Sequence, residues 1–342
     1  MNMEFERKLA IPMEVKEMFP IDASIEKTVG HRREEIKNII AGRDDRLLLI
    51  IGPCSADRED AVLDYVYRLR DLQEKVKDRV LIVPRIYTNK PRTTGAGYKG
   101  LLHSPVPGEK PDMFKGIIAT RELHMRAVRE TGFACADEML YTENYKYIDD
   151  IIGYVTVGAR SVEDQQHRLT ASAVETAVGM KNPTSGDLSV MMNSIYAAQH
   201  PHTFLYRGWE GHSAGNKYAH AVLRGFNTKG GQTFPNYHYE DVIYLNDLYE
   251  GSELENPAVI IDTNHANSNK NPFEQPRIIN EVITYRKYNE SARKLVKGFM
   301  VESYIEDGNQ KIGEGVYGRS ITDACLGWEK TEKMVLDLSD SI

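Results

Sequence analysis

Eight short apolar runs, separated by amphipathic helical stretches, constrain the fold of this chain more than any other feature. The runs are LLLIIG (47–52), VLIVPRIY (80–87), GFACADEM (132–139), YVTVGA (154–159), TAVGMK (176–181), TFLYRG (203–208), AVIIDT (258–263) and VKGFMVES (296–303). They are rich in Val and Ile and lack strict alternation, as expected of parallel strands covered on both faces. Between them lie helix candidates such as REDAVLDYVYRLRDLQEKV, TRELHMRAVRETG, QHRLTASAVE, LSVMMNSIYAAQ, YEDVIYLNDLYEG and RIINEVITYRKYNESARKL. Strands alternating with helices in one undivided chain predict an α/β fold. The count of eight favours a (β/α)8 TIM barrel over an open doubly wound sheet.

Residues 1–45 differ in character, being charged and helical in pattern. Asp22 or Ser24 can cap a helix through IEKTVGHRREEIKNIIAG, with Gly42 ending it. We therefore divide the chain into a short N-terminal extension (1–45), suited to oligomerisation or regulation, and a catalytic barrel (46–342). The net charge of −7 disfavours nucleic acid as a partner. Three cysteines with no CxxC pair argue against a disulfide framework and fit a reducing cytoplasm. The N-terminus lacks an apolar signal core, and no apolar run is long enough to cross a membrane.

In such a barrel the active site lies at the C-terminal ends of the strands. There the sequence offers Cys54, Arg85, Lys90, Glu138, Arg160, Lys181, Arg224, His265, Glu302 and Asp323. Taken singly, each has a bland reading: a lone Cys is a small buried hydrophobe, and a lone Arg a solvated charge. Convergence changes this. Arg85, Lys90, Arg160, Lys181 and Arg224 at one rim of an acidic protein would repel one another without an anion. A phosphorylated carboxylate would satisfy them. Cys54, His265, Glu302 and Asp323 mix soft and hard donors, a set suited to Zn, Fe, Co or Mn. Two motif matches are discounted: the GxGxxG at 95–100 lacks the flanking strand and helix, and the GxSxG at 211–215 follows its strand too late for a nucleophile elbow.

Ten segments in register carry a family resemblance: IGPCS (51–55), KPRTT (90–94), VGAR (157–160), QHR (166–168), GMKN (179–182), VLRG (222–225), NHANS (264–268), MVES (300–303), EDGNQ (306–310) and YGRSITDACLGWE (317–329). The chain resembles class I DAHP synthases of the aromatic-feedback type from about residue 45 onward. The resemblance implies condensation of phosphoenolpyruvate with erythrose 4-phosphate at the entrance to the shikimate pathway. It implies Cys54, His265, Glu302 and Asp323 as ligands of a divalent metal that polarises the aldehyde. It implies Arg85, Lys90, Glu138, Ala159, Arg160, Lys181 and Arg224 around phosphoenolpyruvate, and Lys90, Pro91, Arg92 and Thr93 around the aldose phosphate. Lys90, Cys54 and His265 are then the catalytic set, with Lys90 placed to protonate the new hydroxyl. A homodimer or homotetramer is expected. A KDO8P-synthase-like enzyme using arabinose 5-phosphate and a non-catalytic metabolite sensor are the alternatives; KPRTT disfavours the first and the retained ligands the second.

Departures from the family concern regulation and the aldose. Relatives that sense amino acids hold the inhibitor outside the barrel, near small hydroxyl residues and a TPQ stretch. Here Glu175 and Tyr206 stand at the matching positions, and Tyr145-Lys146 replaces Pro-Gln. A Glu repels the ligand carboxylate and a Tyr fills the ring's volume, so inhibition through that pocket is expected to be weak or absent.

Overall fold

A computed structural model of the chain describes residues 2–342. Eight parallel strands form the barrel: β1 (Leu47–Gly52), β2 (Val80–Pro84), β3 (Ala136–Glu138), β4 (Tyr154–Val157), β5 (Ala177–Lys181), β6 (Ala219–Leu223), β7 (Val259–Asp262) and β8 (Val296–Glu302). Their spatial order is β2-β1-β8-β7-β6-β5-β4-β3. A parallel bridge between Arg85 and Ala136 brings the two ends together, with Ile86 N donating to Ala136 O at 2.9 Å.

Alternation within a buried strand divides two cores. Leu48 and Ile50 of β1 turn inward, joining Leu81, Val83, Tyr154, Ala177, Val222, Ile260 and Met300 inside the barrel. Leu47, Leu49 and Ile51 pack outward against the surrounding helices. Both sets are apolar, which is why the runs lack alternation in sequence.

The expected sixth strand is corrected. TFLYRG does not enter the barrel. Thr203–Tyr206 pairs antiparallel with Trp209–His212 as an external hairpin, and Leu205 and Trp209 are 72% and 77% exposed. The sixth barrel strand is AHAVL, buried throughout. Its small alanines and its histidine hide it from an apolar-run search. His220 fits because Tyr154 Oη lies 2.8 Å from its Nε2 inside the barrel, and burial pushes it down to about 4, so it stays neutral. The GxSxG stretch belongs to this hairpin region, where Ser213 Oγ accepts from Ser172 Oγ and His202 N.

Helix boundaries follow local chemistry. The stretch RIINEVITYRKYNESARKL is two helices, Gln275–Tyr288 and Glu290–Leu295, because Asn289 leaves helical geometry and caps the second through Ala292 N. Helix Ala23–Ile40 starts at Asp22, whose carboxylate accepts from Ser24 N and Ile25 N. Its Ile36, Ile39 and Ile40 join the interior cluster of the barrel, closing the end at which the strands begin. Among the described residues no helix is long and apolar enough to cross a membrane.

Candidate active site

The cations named above meet at the other end, where the strands finish. A cleft of about 290 Å³ is lined by Arg85, Lys90, Pro91, Arg92, Thr93, Glu138, Ala159, Arg160, Lys181, Arg224, His265 and Asp323, among others.

Arg85, just past β2, is 2% exposed. Its Nη2 donates to Glu302 Oε1 at 2.8 Å and its Nε to Pro53 O at 3.2 Å. Its guanidinium carbon stands 3.8 Å from the centre of the Tyr87 ring. Nη1 of Arg85 and Nη1 of Arg224 are both buried without a partner among the described residues. Buried donors without acceptors are costly; here two lie in one cleft. Burial lowers the Arg224 pKa, and Arg160 lowers it further. An anion between them would relieve both effects. Lys181 ends β5 and pairs with buried Asp262 at 2.9 Å. Arg160 is exposed and donates from Nε to Thr93 Oγ1 at 2.9 Å, linking the two loops. Glu138 ends β3 over Gly158, where a Cβ would come within 2.2 Å of its Oε1. Only glycine lets that carboxylate lie flat on the β4 turn.

Beside the cations, ligand atoms of Cys54, Glu302 and Asp323 lie within 4.8 Å of one another. His265 does not fall in that group. Its Nε2 is 3.8 Å from Glu302 Oε1, and its Nδ1 is 2.9 Å from Asp262 Oδ2. It adopts left-handed backbone geometry (φ 51°), a strained choice for a non-glycine residue. Lys90 Nζ sits 2.6 Å from Cys54 Sγ and 3.1 Å from Asp323 Oδ2. The ammonium thus stands in for a cation among sulfur and carboxylate donors, and the donor set fits a borderline divalent ion.

The protonation states follow from burial and neighbours. Burial pushes the Cys54 thiol up to about 11, aided by Glu302. Burial would also raise Glu302 and Asp323. The charges of Arg85 and Lys90 outweigh that at Glu302, and those of Lys90 and Lys270 at Asp323, so both stay below the usual carboxylate range. Burial lowers His265, so its imidazole is neutral and available as a ligand. Lys90 is raised: burial opposes its charge, but Cys54, Asp323 and Glu302 more than compensate.

Several residues escaped the sequence reading. Asp262 joins Lys181 to His265; its signal was a strand-end carboxylate in VIID. Lys270 reaches Asp323 Oδ1 at 3.0 Å. Asn264 donates to Glu302 Oε2, and Gln275 Oε1 accepts from Glu302 N at 2.9 Å. Asp137, 3% exposed, accepts from Thr88 N at 2.9 Å, Thr88 Oγ1 at 2.5 Å and Glu138 N at 2.7 Å. At the position read for regulation, Glu175 lies 3.6 Å from Arg33, Lys146 pairs with Asp149 at 3.1 Å, and Tyr206 Oη donates to Thr142 O at 2.7 Å.

A closed parallel barrel with its polar cleft at the strand ends is the architecture of (β/α)8 enzymes. The DAHP synthetase I family model matches residues 18–336. A phospho-2-dehydro-3-deoxyheptonate aldolase of Haemophilus influenzae is 37% identical over 340 residues, covering 97% of this chain and 91% of the relative. The Phe-sensitive enzyme of Escherichia coli K12 is 37% identical over 345 residues, covering 98% and 95%. Among solved structures, the phospho-2-dehydro-3-deoxyheptonate aldolase of Francisella tularensis superposes with a TM-score of 0.92 at 31% identity, over 100% of this chain and 98% of the other. This chain belongs to the DAHP synthetase I family.

Proposed function

We propose that the protein condenses phosphoenolpyruvate with erythrose 4-phosphate to give 3-deoxy-D-arabino-heptulosonate 7-phosphate and inorganic phosphate. One observation carries the site assignment: two buried, unpartnered arginine nitrogens face one cleft with a lysine-bridged thiol and carboxylate cluster. Arg85, Lys181 and Arg224, with Arg160 at the rim, hold the phosphate and carboxylate of phosphoenolpyruvate, beside Glu138 and the Ala159 backbone. Lys90, Pro91, Arg92 and Thr93 receive the aldose phosphate. Cys54, His265, Glu302 and Asp323 would hold a divalent ion (Mn, Fe, Co or Zn), which when bound supplies Lewis-acid polarisation of the aldehyde.

The chain's own groups do the remaining work. The cations bring two polyanions together at the distance needed for C3 of phosphoenolpyruvate to reach the aldehyde carbon. Lys90 carries a proton on Nζ between the thiol and Asp323, in reach of the alkoxide that forms, and delivers it there. Water adds at C2, and the resulting hemiketal phosphate loses phosphate by C–O cleavage. Neither the arabinose 5-phosphate reading nor the non-catalytic reading draws support from the family. The exposed Leu205 and Trp209 of the Thr203–His212 hairpin and the residue 1–45 segment favour a homodimer or homotetramer, with 1–45 its assembly or regulatory part, and the free cysteines fit the cytoplasm. Phosphate release should require erythrose 4-phosphate, fail with arabinose 5-phosphate, and stop after exhaustive EDTA treatment. Full-rate turnover without metal would overturn the assignment.

A further inference from the structure

At the opposite end of the barrel from the cleft, a second set of cations surrounds a cavity of about 270 Å³. Arg286 comes from the last turn of helix Gln275–Tyr288, Arg293 from helix Glu290–Leu295, and Lys297 from the start of β8. The break at Asn289 folds the first two elements back on each other, so that Arg286 Nη2 contacts Arg293 O at 3.3 Å.

Some charges here are already matched. Arg46 bonds Asp44 at 2.6 Å and Glu35 at 2.9 Å, and Arg293 bonds Glu290 at 2.7 Å. Arg286, Lys287 and Lys297 have no carboxylate within 4.0 Å among the described residues, and Arg286 Nε is buried with no partner at all. The lining acid left over is Asp45, which acts favourably on Lys297. Three free cations against one free carboxylate leave an excess of two positive charges, inside a chain whose overall charge is −7. Ser341 and Ile342 also line the cavity, and the Ile342 oxygen is engaged by Arg79. Asp45 offsets the crowding only in part: burial and the neighbouring Arg293 push Arg286 down to about 10, and burial with Arg286 still lowers Lys297.

We propose that this basal cavity binds a phosphate-type dianion, as inorganic phosphate or a small phosphomonoester, between Arg286 and Lys297. The excess of two charges matches a dianion, guanidinium forks suit its oxygens, and the volume lies at the small end of small-molecule sites. Lys297 and Glu302 are five strand residues apart, about 17 Å, so the site is separate from the cleft.

The test soaks crystals of the metal-loaded enzyme with tungstate as a phosphate mimic. It also follows thermal unfolding of wild type and of the R286Q/K297M variant in inorganic phosphate and, separately, in glycerol 3-phosphate. An anomalous peak bonded to Arg286 and Lys297 is expected in wild type and not in the variant. The variant should lose the basal part of the anion-induced stabilisation, with affinity weakened about tenfold or more. Its kcat and both KM values should stay unchanged. Because R286Q also removes the bond to Arg293 O, the readout is each protein's gain over its own anion-free midpoint, which a purely structural role would leave equal in the two proteins. The anion whose stabilisation falls more from wild type to R286Q/K297M identifies the source. R286K/K297R, which keeps the charges, should retain binding if the first variant folds poorly. Tungstate only in the strand-end cleft, or equal anion stabilisation of wild type and R286Q/K297M, overturns the proposal.

Discussion

Replacing Asp137 tests whether one buried carboxylate sets the loop that carries Lys90. Asp137 holds Thr88 by its amide and its hydroxyl, while also accepting from Glu138 N. Thr88 in turn accepts from Leu102 N at 3.0 Å, and Lys90 N donates to Lys99 O at 2.9 Å. The loop from Lys90 to Lys99 is therefore pinned at its base by Thr88. Gly100 closes it so tightly that a Cβ there would lie 2.3 Å from Thr88 O. Asp137→Ala strands two buried amide donors, at about 1–3 kcal/mol each, and should destabilise the fold by about 2–6 kcal/mol. Asp137→Asn keeps one acceptor oxygen and loses the charge-assisted bonds, costing about 1.5–3 kcal/mol. A shift of about 1 Å at Thr88 would carry to Lys90 two residues on and lower turnover by about 100-fold. The assay is steady-state kinetics in both substrates, with phosphoenolpyruvate affinity measured separately at equilibrium. In Asp137→Asn, kcat should fall and KM for erythrose 4-phosphate rise, while phosphoenolpyruvate affinity changes by less than about threefold. Thr88→Val should show the same pattern more weakly. Wild-type kinetics in an Asp137→Asn enzyme of reduced stability would refute the reasoning, because the anchor would then be structural only.

Cys54→Ala should lose metal and activity together while the metal-free proteins unfold alike; normal turnover would make Cys54 a packing residue. Arg160→Ala, at an exposed site, should raise KM for phosphoenolpyruvate with stability unchanged. Lys181→Ala should raise KM and also destabilise by about 3–5 kcal/mol, because buried Asp262 loses its ion-pair partner; chemical denaturation separates the two. Burial pushes Asp57 up to about 6 against a downward pull from the Tyr304 hydroxyl. A carboxyl raised in the fold contributes stability below its unfolded pKa near 3.8 and loses it as pH rises through about 6. Asp57→Asn should therefore gain up to about 3 kcal/mol relative to wild type between pH 4 and pH 7, and a parallel pH–stability curve would contradict this. Free phenylalanine, tyrosine or tryptophan should leave initial rates unchanged at sub-millimolar concentration; saturable inhibition abolished by changing Glu175 or Tyr206 would show the pocket is open.

Seven of the eight strands were legible because strands covered on both sides are mostly apolar; β3, Ala-Asp-Glu, was reached only through the apolar residues that precede it. The sixth was not. AHAVL turns His220 and Val222 inward and its small Ala219 and Ala221 outward against the helices, whereas TFLYRG has the apolar content of a strand and the exposure of a hairpin. Cys54, Arg85, Lys181 and Glu302 could be picked out because each directly follows or ends an apolar run. Asp137 and Asp262 obey the same rule but were passed over, since a carboxylate that serves its neighbours leaves no mark of its own in sequence. The basal cations were invisible for another reason. Arg286, Arg293 and Lys297 look like ordinary solvated helix-end charges until the kink at Asn289 turns them toward one another.

The isoleucine face of helix Ala23–Ile40 has a consequence for how the chain comes to be made. This helix leaves the ribosome before any strand, yet its seat against Ala258, Ile260 and Met300 exists only once β7 and β8 have been synthesised, more than two hundred residues later. A sticky surface made before every barrel strand is thus among the last to be covered. For most of translation Ile36, Ile39 and Ile40 must be kept from other partners by chaperones or by speed, because contacts of such long sequence separation form late. Trimming the first forty residues would leave a barrel open at its base, with the inward side chains of β1, β7 and β8 exposed to water. A truncated chain should aggregate during expression even though every residue of the strand-end cleft is still encoded.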